Sequence, residues 1–153
     1  MLINLLMWIN SQAVRVKSDD AGLLVNVPNL LAYNKNNKRI IALGKTEDEM
    51  RKQSPLGWKA WASLIRFTAP FDVKAFDPLI VHNVLRYYAY RASARLRPGA
   101  FGQWFGLLVD RFTYDVQFAG YESVPQDARD RFEDLLRKDR FFRRVRINNQ
   151  NIK

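Results

Sequence analysis

The sequence predicts an α/β domain with a mixed sheet, an N-terminal antiparallel meander and two main helices. Three observations support this fold class. β-rich runs dominate the first 43 residues, apolar residues with helical spacing follow Asp77 and Pro125, and an alternating strand pattern follows each of these helices. A chain of 153 residues can bury roughly two-thirds of its unfolded surface, so we expect one domain spanning 1–153.

A hairpin centred on 34–38 is the clearest local signal. This polar run separates two apolar runs, 30–33 and 39–43, which are therefore expected to pair. Thr46, followed by three acidic residues, predicts the N-cap of a short helix near 47–53.

Further strands are predicted on both sides of this hairpin. The apolar start 1–9 is either a core strand or a shallow surface anchor, because it is far shorter than the ~20 residues that span a bilayer. The run 13–17 alternates as a half-buried strand and 23–27 returns beside it, so the first 43 residues form a three- or four-stranded meander. One more strand is expected within 61–68, although Trp58, Trp61 and Ile65 also have the spacing of a helix face.

Two long helices follow. Asp77 caps the first, Pro78 occupies its first turn, and Pro98-Gly99 ends it. Ser123 is the predicted cap of the second, with Pro125 in its first turn. Between them 112–118 alternates as a strand, and a last strand places Val145 and Ile147 in the core. The arginines at the end of the first helix complement its dipole: Arg91, Arg95 and Arg97.

The net charge of +10 raises the question of an anionic partner. Each half of the chain carries +5, with 11 basic and 6 acidic residues in 1–76 and 14 and 9 in 77–153. The densest basic stretch is the candidate contact with nucleic acid or an anionic membrane surface. The alternative is an ordinary strand with its basic side chains in water. The candidate residues are Arg137, Lys138, Arg140, Arg143, Arg144 and Arg146.

Five aromatic residues form the candidate protein interface: Trp58, Trp61, Phe101, Trp104 and Phe105. The last three, with Leu107 and Leu108, make an unusually apolar connector between two elements. Such residues either belong to the core or form an exposed patch, and exposed apolar patches commonly bind proteins. The second alternative predicts a homo-oligomer, by a two-fold contact of the patch with itself, or another protein partner.

No residue set predicts catalysis, a metal or a cofactor. The chain has no cysteine, which excludes disulfides and thiolate chemistry and fits a cytoplasmic location. The single histidine, His82, is expected to pack on the first long helix. Walker, dinucleotide-binding and nucleophile-elbow motifs are absent.

Several runs resemble the first half of an actin-like protein, closest to the bacterial MreB family. In that family a strand carrying Asp-x-Gly-Thr precedes a strand ending near a proline, and a later strand ends in glycine before an acidic helix. The matching runs here are 13–17, 23–28, 30–33 and 40–50, and 69–77 is similar to the segment that leads into the family's first long helix. The resemblance implies a ribonuclease H-like, actin-like half-domain, truncated relative to the family.

The departures from the family imply loss of nucleotide binding. Leu6 to Ser11 stands where the family has its phosphate turn, without the aspartate or the glycine. The family's glutamate in the helix after the fourth strand aligns near Ala128. We therefore expect no nucleotide and no enzyme activity. The expected function is a non-catalytic scaffold, a partner or regulator of a bacterial cytoskeletal or membrane-associated assembly at the inner membrane surface; a basic nucleic-acid-binding module is the alternative.

Overall fold

The computed structural model of the chain describes residues 2–19, 22, 24–44, 47–52, 64–97 and 99–153. Nine strands are defined within these residues: β1 Leu2–Ile9, β2 Ala13–Ser18, β3 Leu24–Pro28, β4 Leu31–Asn34, β5 Ile40–Leu43, β6 Ile65–Thr68, β7 Arg111–Phe118, β8 Phe142–Ile147 and β9 Gln150–Asn151. The helices of the described chain are α1 Glu47–Lys52, α2 Pro78–Leu96, α3 Ala100–Val109 and α4 Gln126–Lys138, and a 3-10 turn spans Tyr121–Ser123.

Two sheets contain all of these strands. The main sheet has the order β3-β2-β1-β7-β8-β9, and the small sheet has the order β5-β4-β6. β1 pairs in parallel with β7, and β7 with β8, while β2, β3 and β9 are antiparallel to their neighbours. The predicted mixed α/β sheet with an antiparallel start is therefore confirmed.

The hairpin predicted at 34–38 is present. β4 and β5 pair with Leu31 opposite Leu43 and Tyr33 opposite Ile40. Lys38 adopts φ 61°, and its amide donates to the carbonyl of Asn34 at 2.8 Å, which closes the turn. This hairpin does not continue the meander, however, because β4 pairs on its other edge with β6 to build the second sheet.

The hydrophobic core lies between the main sheet and the helices α2 and α4. β1 is its central strand, with Ile3, Leu5 and Met7 at 0–1% exposure, so the apolar start is a core strand. Tyr114 on β7 is also fully buried, and its hydroxyl donates to the carbonyl of Leu85 at 2.7 Å. This hydrogen bond satisfies the one polar atom of that side chain.

One of the two predicted long helices begins where the sequence predicts, and the other begins later. Asp77 accepts hydrogen bonds from the amides of Leu79 and Ile80, and Pro78 opens α2, as predicted. The second predicted helix begins later than expected, because Ser123 belongs to the 3-10 turn and α4 starts at Gln126 after Pro125. The predicted cap Thr46 lies outside the described residues.

Candidate protein-binding surface

The segment 100–109, expected as a connector, is the helix α3, and its residues are arranged unusually. Its two glycines, Gly102 and Gly106, are four residues apart and therefore share one face. This face lies against α2: a Cβ on Gly106 would stand 2.5 Å from Ser93 Oγ, and one on Gly102 would stand 3.2 Å from the carbonyl oxygen of Arg97. The glycines of α3 therefore pack against α2.

The large apolar side chains of α3 point into solvent instead. Phe101 is 76% exposed, Trp104 57% and Phe105 42%. Leu108 and Val109 extend the same exposed surface. We call these five residues the α3 apolar patch. Burial in the core, one of the two alternatives for this run, is therefore wrong for Phe101, Trp104 and Phe105; a role in binding stays a prediction.

A buried charge holds α3 in this orientation. The Asp110 side chain, which directly follows α3, has no solvent exposure, and it accepts hydrogen bonds from Ser93 Oγ at 2.7 Å and Arg97 Nη2 at 2.9 Å. Burial alone would raise the pKa of Asp110, but the hydrogen bonds from Arg97 and Ser93 and the guanidinium charge outweigh it, so the pKa lies below its ordinary value. We call Ser93, Arg97 and Asp110 the Asp110 cluster.

The Asp110 cluster also shapes the apolar patch. The Arg97 guanidinium lies over the ring of Phe105, 5.3 Å from its centroid, which is cation–π geometry. Arg97, which the sequence predicts to complement the dipole of α2, is the C-cap residue of that helix and also makes this contact and the ion pair with Asp110. No sequence pattern predicts the Asp110 cluster. A lone aspartate directly after an apolar run is the kind of signal that could have indicated a buried carboxylate.

A groove of about 510 Å³ separates α2 from α3. Its walls are aromatic and small side chains with one exposed cation: Tyr87, Tyr90, Arg91, Ser93, Ala94, Ala100 and Trp104. The groove adjoins the α3 apolar patch through Trp104. Together they offer an apolar surface with a recess, which is the shape that receives an aromatic anchor of a partner.

The other two candidate interface residues, Trp58 and Trp61, lie outside the described residues.

The six basic candidates do not form one face. Arg137 and Lys138 are on α4, where Arg137 pairs with Glu133 and Lys138 with Asp134 at spacing i,i+4. Arg140 is exposed in the turn after α4. The remaining three, Arg143, Arg144 and Arg146, lie on β8, where they line one concavity on the main sheet.

The turn between β1 and β2 stands where the actin-like resemblance places a phosphate-binding turn. Asn10 Oδ1 accepts hydrogen bonds from the amides of Gln12 and Ala13, at 2.9 and 2.8 Å. These amides are therefore used within the turn. A shallow concavity at the ends of β1 and β7 adjoins it, lined in part by Asn10, Gly120 and Glu122.

His82 lies in a second buried ionic cluster that connects α2 to the end of α4. Its Nε2 is 2.7 Å from Asp139 Oδ2, and Arg86 Nη1 donates to the same oxygen at 3.1 Å. Burial would raise the pKa of Asp139, but the hydrogen bonds from His82 and the Phe141 amide and the charge of Arg86 hold it below its ordinary value. Among the described residues, no group of three His, Asp or Glu side chains could hold a metal ion.

The architecture that positions these surfaces is that of an actin-like protein. MreB5 of Spiroplasma citri, solved with ADP, is 17% identical and matches 97% of this chain with a TM-score of 0.54. MamK is similar in two structures: a non-polymerising mutant bound to AMPPNP (13% identity, 95% of this chain, TM-score 0.56) and a double helical filament (12%, 96%, 0.56). At these identities the likeness establishes the fold.

This chain spans 38% of the length of the MreB5 structure and 40% of the MamK structures. No protein-family model matches the sequence, and no curated protein matches it. None of the helices in the described part of the chain combines the length and the hydropathy that crossing a bilayer requires.

Proposed function

We propose that this chain is a non-catalytic assembly module related to actin-like cytoskeletal proteins, and that it binds a second copy of itself through the α3 apolar patch. The observation that carries this proposal is the orientation of α3, whose glycines face the protein while Phe101, Trp104 and Phe105 face solvent. A helix that only completed a core would have the opposite orientation. The filament architecture of a similar fold, MamK, also supports self-association.

The exposed aromatic surface of the patch supplies a substantial part of the burial that a dimer requires. At about 200 Å² per aromatic side chain, the three exposures leave roughly 350 Å² of aromatic surface uncovered on each copy. Burying it on two copies is worth at most about 17 kcal/mol at 25 cal/mol/Å². Association costs about 4–15 kcal/mol and micromolar affinity requires about 8 kcal/mol, so a micromolar dimer requires an association cost below about 9 kcal/mol.

A two-fold contact is the simplest arrangement of this interface. Each copy would place its aromatic anchors against the patch of the other, and the groove beside Trp104 would receive the Phe101 ring of the partner copy. Such an interface has its apolar anchors at the centre and its charged residues at the rim. Arg91 and Arg95 on α2 are exposed and would lie at that rim.

Light scattering at micromolar concentration tests the proposal. Wild type should be dimeric or larger, and the double variant Trp104→Glu, Phe105→Glu should be monomeric with an unchanged circular dichroism spectrum, while its melting temperature falls to that of the monomer. The control is Ile41→Glu, Leu79→Glu, which alters two apolar side chains of similar exposure, 46% and 44%, outside the patch. A monomeric wild type, or equal dissociation of both double variants, would refute the interface. Recruitment of the monomeric wild type to anionic vesicles would favour a membrane partner for the patch.

A further inference from the structure

Within the described part of the chain, the main sheet has a second face that the helices α1 to α4 do not cover. Its strands alternate, so that Ile3, Leu5 and Met7 of β1 are buried beneath α2 while Asn4 and Trp8 point the other way. The same alternation in β7 leaves its second set of side chains half-buried, and β8 exposes Arg144. We call this surface the outer sheet face.

Positive charge borders the outer sheet face on two sides. β2 places Arg15 and Lys17 on it, and β8, three strands away and therefore about 14 Å across the sheet, places Arg144 and Arg146 on it. The strands between them carry mainly neutral side chains there, with Thr113 hydrogen-bonded to Asn4. A neutral strip thus runs between two basic margins.

The acidic residues of this face leave half of that charge uncompensated. Asp19 pairs with Lys17 at 3.3 Å, and Asp115 approaches Arg146 at 3.8 Å, which is a long contact. Within the part of the chain that the structure describes, no carboxylate pairs with Arg15 or Arg144. Charge complementarity therefore favours a polyanion as the occupant.

Trp8 adds an aromatic platform inside the neutral strip. Its side chain is 41% exposed, and it lies opposite Arg15 of β2 and Gln117 of β7 in the sheet. The Arg15 guanidinium is 5.9 Å from the centroid of the indole, which is cation–π geometry. An exposed aromatic ring on an open sheet, with arginines beside it, is the arrangement on which unpaired bases stack.

The basic margin on β8 is also concave. A depression of about 570 Å³ is lined by Arg143, Arg144 and Arg146 together with Asn4 and Thr113, and the carboxylates of Asp19 and Asp115 also line it, so its arginines outnumber its acidic residues by one. A second depression, of about 460 Å³, continues beyond Arg144 and Arg146 to Lys153. Two adjoining depressions that share two arginines provide a path for consecutive phosphates.

We propose that the outer sheet face binds single-stranded nucleic acid, with a base stacked on Trp8 and the phosphates on Arg15, Arg144 and Arg146. The binding is sequence-tolerant, because stacking and charge recognise any base and any phosphate. This activity is independent of self-association through α3. It also differs from the contact expected from 137–146, because Arg137 and Lys138 lie on α4 and take no part.

Fluorescence anisotropy with labelled oligo(U) and oligo(dT) of about 20 nucleotides tests this assignment at low salt, about 50 mM. Wild type should bind with micromolar affinity that falls as salt rises. The triple variant Arg15→Gln, Arg144→Gln, Arg146→Gln should bind at least roughly tenfold more weakly, and the slope of log K against log salt should become shallower by about 2, since each phosphate contact contributes about 0.7.

Matched control variants distinguish binding by the outer sheet face from nonspecific attraction to the positive charge of the whole chain. Arg39→Gln, Lys74→Gln, Arg131→Gln removes the same charge from exposed positions outside both proposed surfaces and should retain most of the affinity. Trp8→Ala should weaken binding about tenfold, and Trp8→Phe should restore it. Ile41→Ala, at an apolar side chain of similar exposure outside both proposed surfaces, should have no effect. Circular dichroism establishes that each variant is folded.

Three results would overturn the proposal. Equal losses in the two triple variants would mean that only overall charge matters. Unchanged binding by Trp8→Ala would exclude stacking at this ring. Stronger binding of duplex DNA, of polyglutamate or of phosphatidylserine vesicles than of the oligonucleotides would identify a different class of partner for the outer sheet face.

Discussion

Removal of the Asp110 carboxylate is the sharpest test of how α3 is held. Asp110→Ala deletes a side chain with no solvent exposure that accepts hydrogen bonds from Ser93 and Arg97. Breaking a buried ion pair by removing one partner costs about 3–5 kcal/mol. We expect the lower end, about 3 kcal/mol, because the Arg97 side chain is 22% exposed and its charge can reach water once the carboxylate is gone.

Urea denaturation and thermal melting both measure this loss. A cost of about 3 kcal/mol lowers the melting temperature of a domain of this size by roughly 6–12 °C. Because the cluster fixes the orientation of α3, the emission of Trp104 should also change before global unfolding. Asp110→Asn should lose less, since the amide oxygen still accepts a hydrogen bond from Ser93.

Asp134→Ala is the matched control. Asp134 is also a carboxylate paired with a cation, Lys138 at 2.8 Å, but its side chain is 53% exposed and the pair is on the surface of α4. Its removal should cost less than about 1 kcal/mol. If Asp110→Ala and Asp134→Ala melt at the same temperature, the Asp110 cluster does not hold α3 and our account of its orientation is wrong.

Three further predictions concern other parts of the chain. Gly44→Ala should destabilise the fold by about 1–3 kcal/mol in urea, because Gly44 has φ +72° and an added Cβ would stand 2.8 Å from Val27; an unchanged midpoint contradicts the contact. The pKa of Asp139 is lowered in the folded state, so the stability it contributes is present at neutral pH and is lost as pH falls below about 4. In Asp139→Asn, the free energy of unfolding should therefore fall less steeply with pH below about 4. An unchanged slope in this range refutes the prediction. Millimolar ATP or GTP should leave the melting temperature unchanged, and a rise of several degrees would demonstrate a nucleotide site.

The parts of the fold set by local chemistry could be predicted from sequence. The polar run 34–38 encodes its turn whatever the rest of the chain does, and Asp77 with Pro78 starts α2 by contacts within one turn. The alternation of apolar and polar residues along β7 likewise predicts which face of the strand is buried. In each case the residues that decide the structure are neighbours in the sequence.

Features that depend on distant contacts could not be predicted. The assignment of β4 to a second sheet depends on its pairing with β6, more than thirty residues away. The sequence does not indicate α3 as a helix, because Gly99, its N-cap residue, supplies no side-chain hydrogen bond and its two glycines have poor helix propensity. The Asp110 cluster, which holds it, joins side chains 13 and 17 residues apart.

The basic candidates show the same distinction. Sequence proximity grouped six cations in 137–146, but a helix end and a turn lie within that range, so its members point in different directions. Arg15 and Trp8, which share the outer sheet face with Arg144, were not grouped with it because strand order alone brings them together. A charge cluster in sequence is therefore weaker evidence for a binding face than its position on a sheet.

The two proposed surfaces make one joint prediction. α3 packs on α2, and α2 covers the inner side of the main sheet, so self-association through α3 leaves the outer sheet face of each copy accessible. The monomeric variant Trp104→Glu, Phe105→Glu should therefore bind a short oligonucleotide as tightly as wild type. A longer oligonucleotide that reaches both faces of a dimer should bind wild type more tightly than this variant, because the second contact is intramolecular. If the variant also loses the short oligonucleotide, the two surfaces are not independent and the proposed placement of the nucleic acid is wrong.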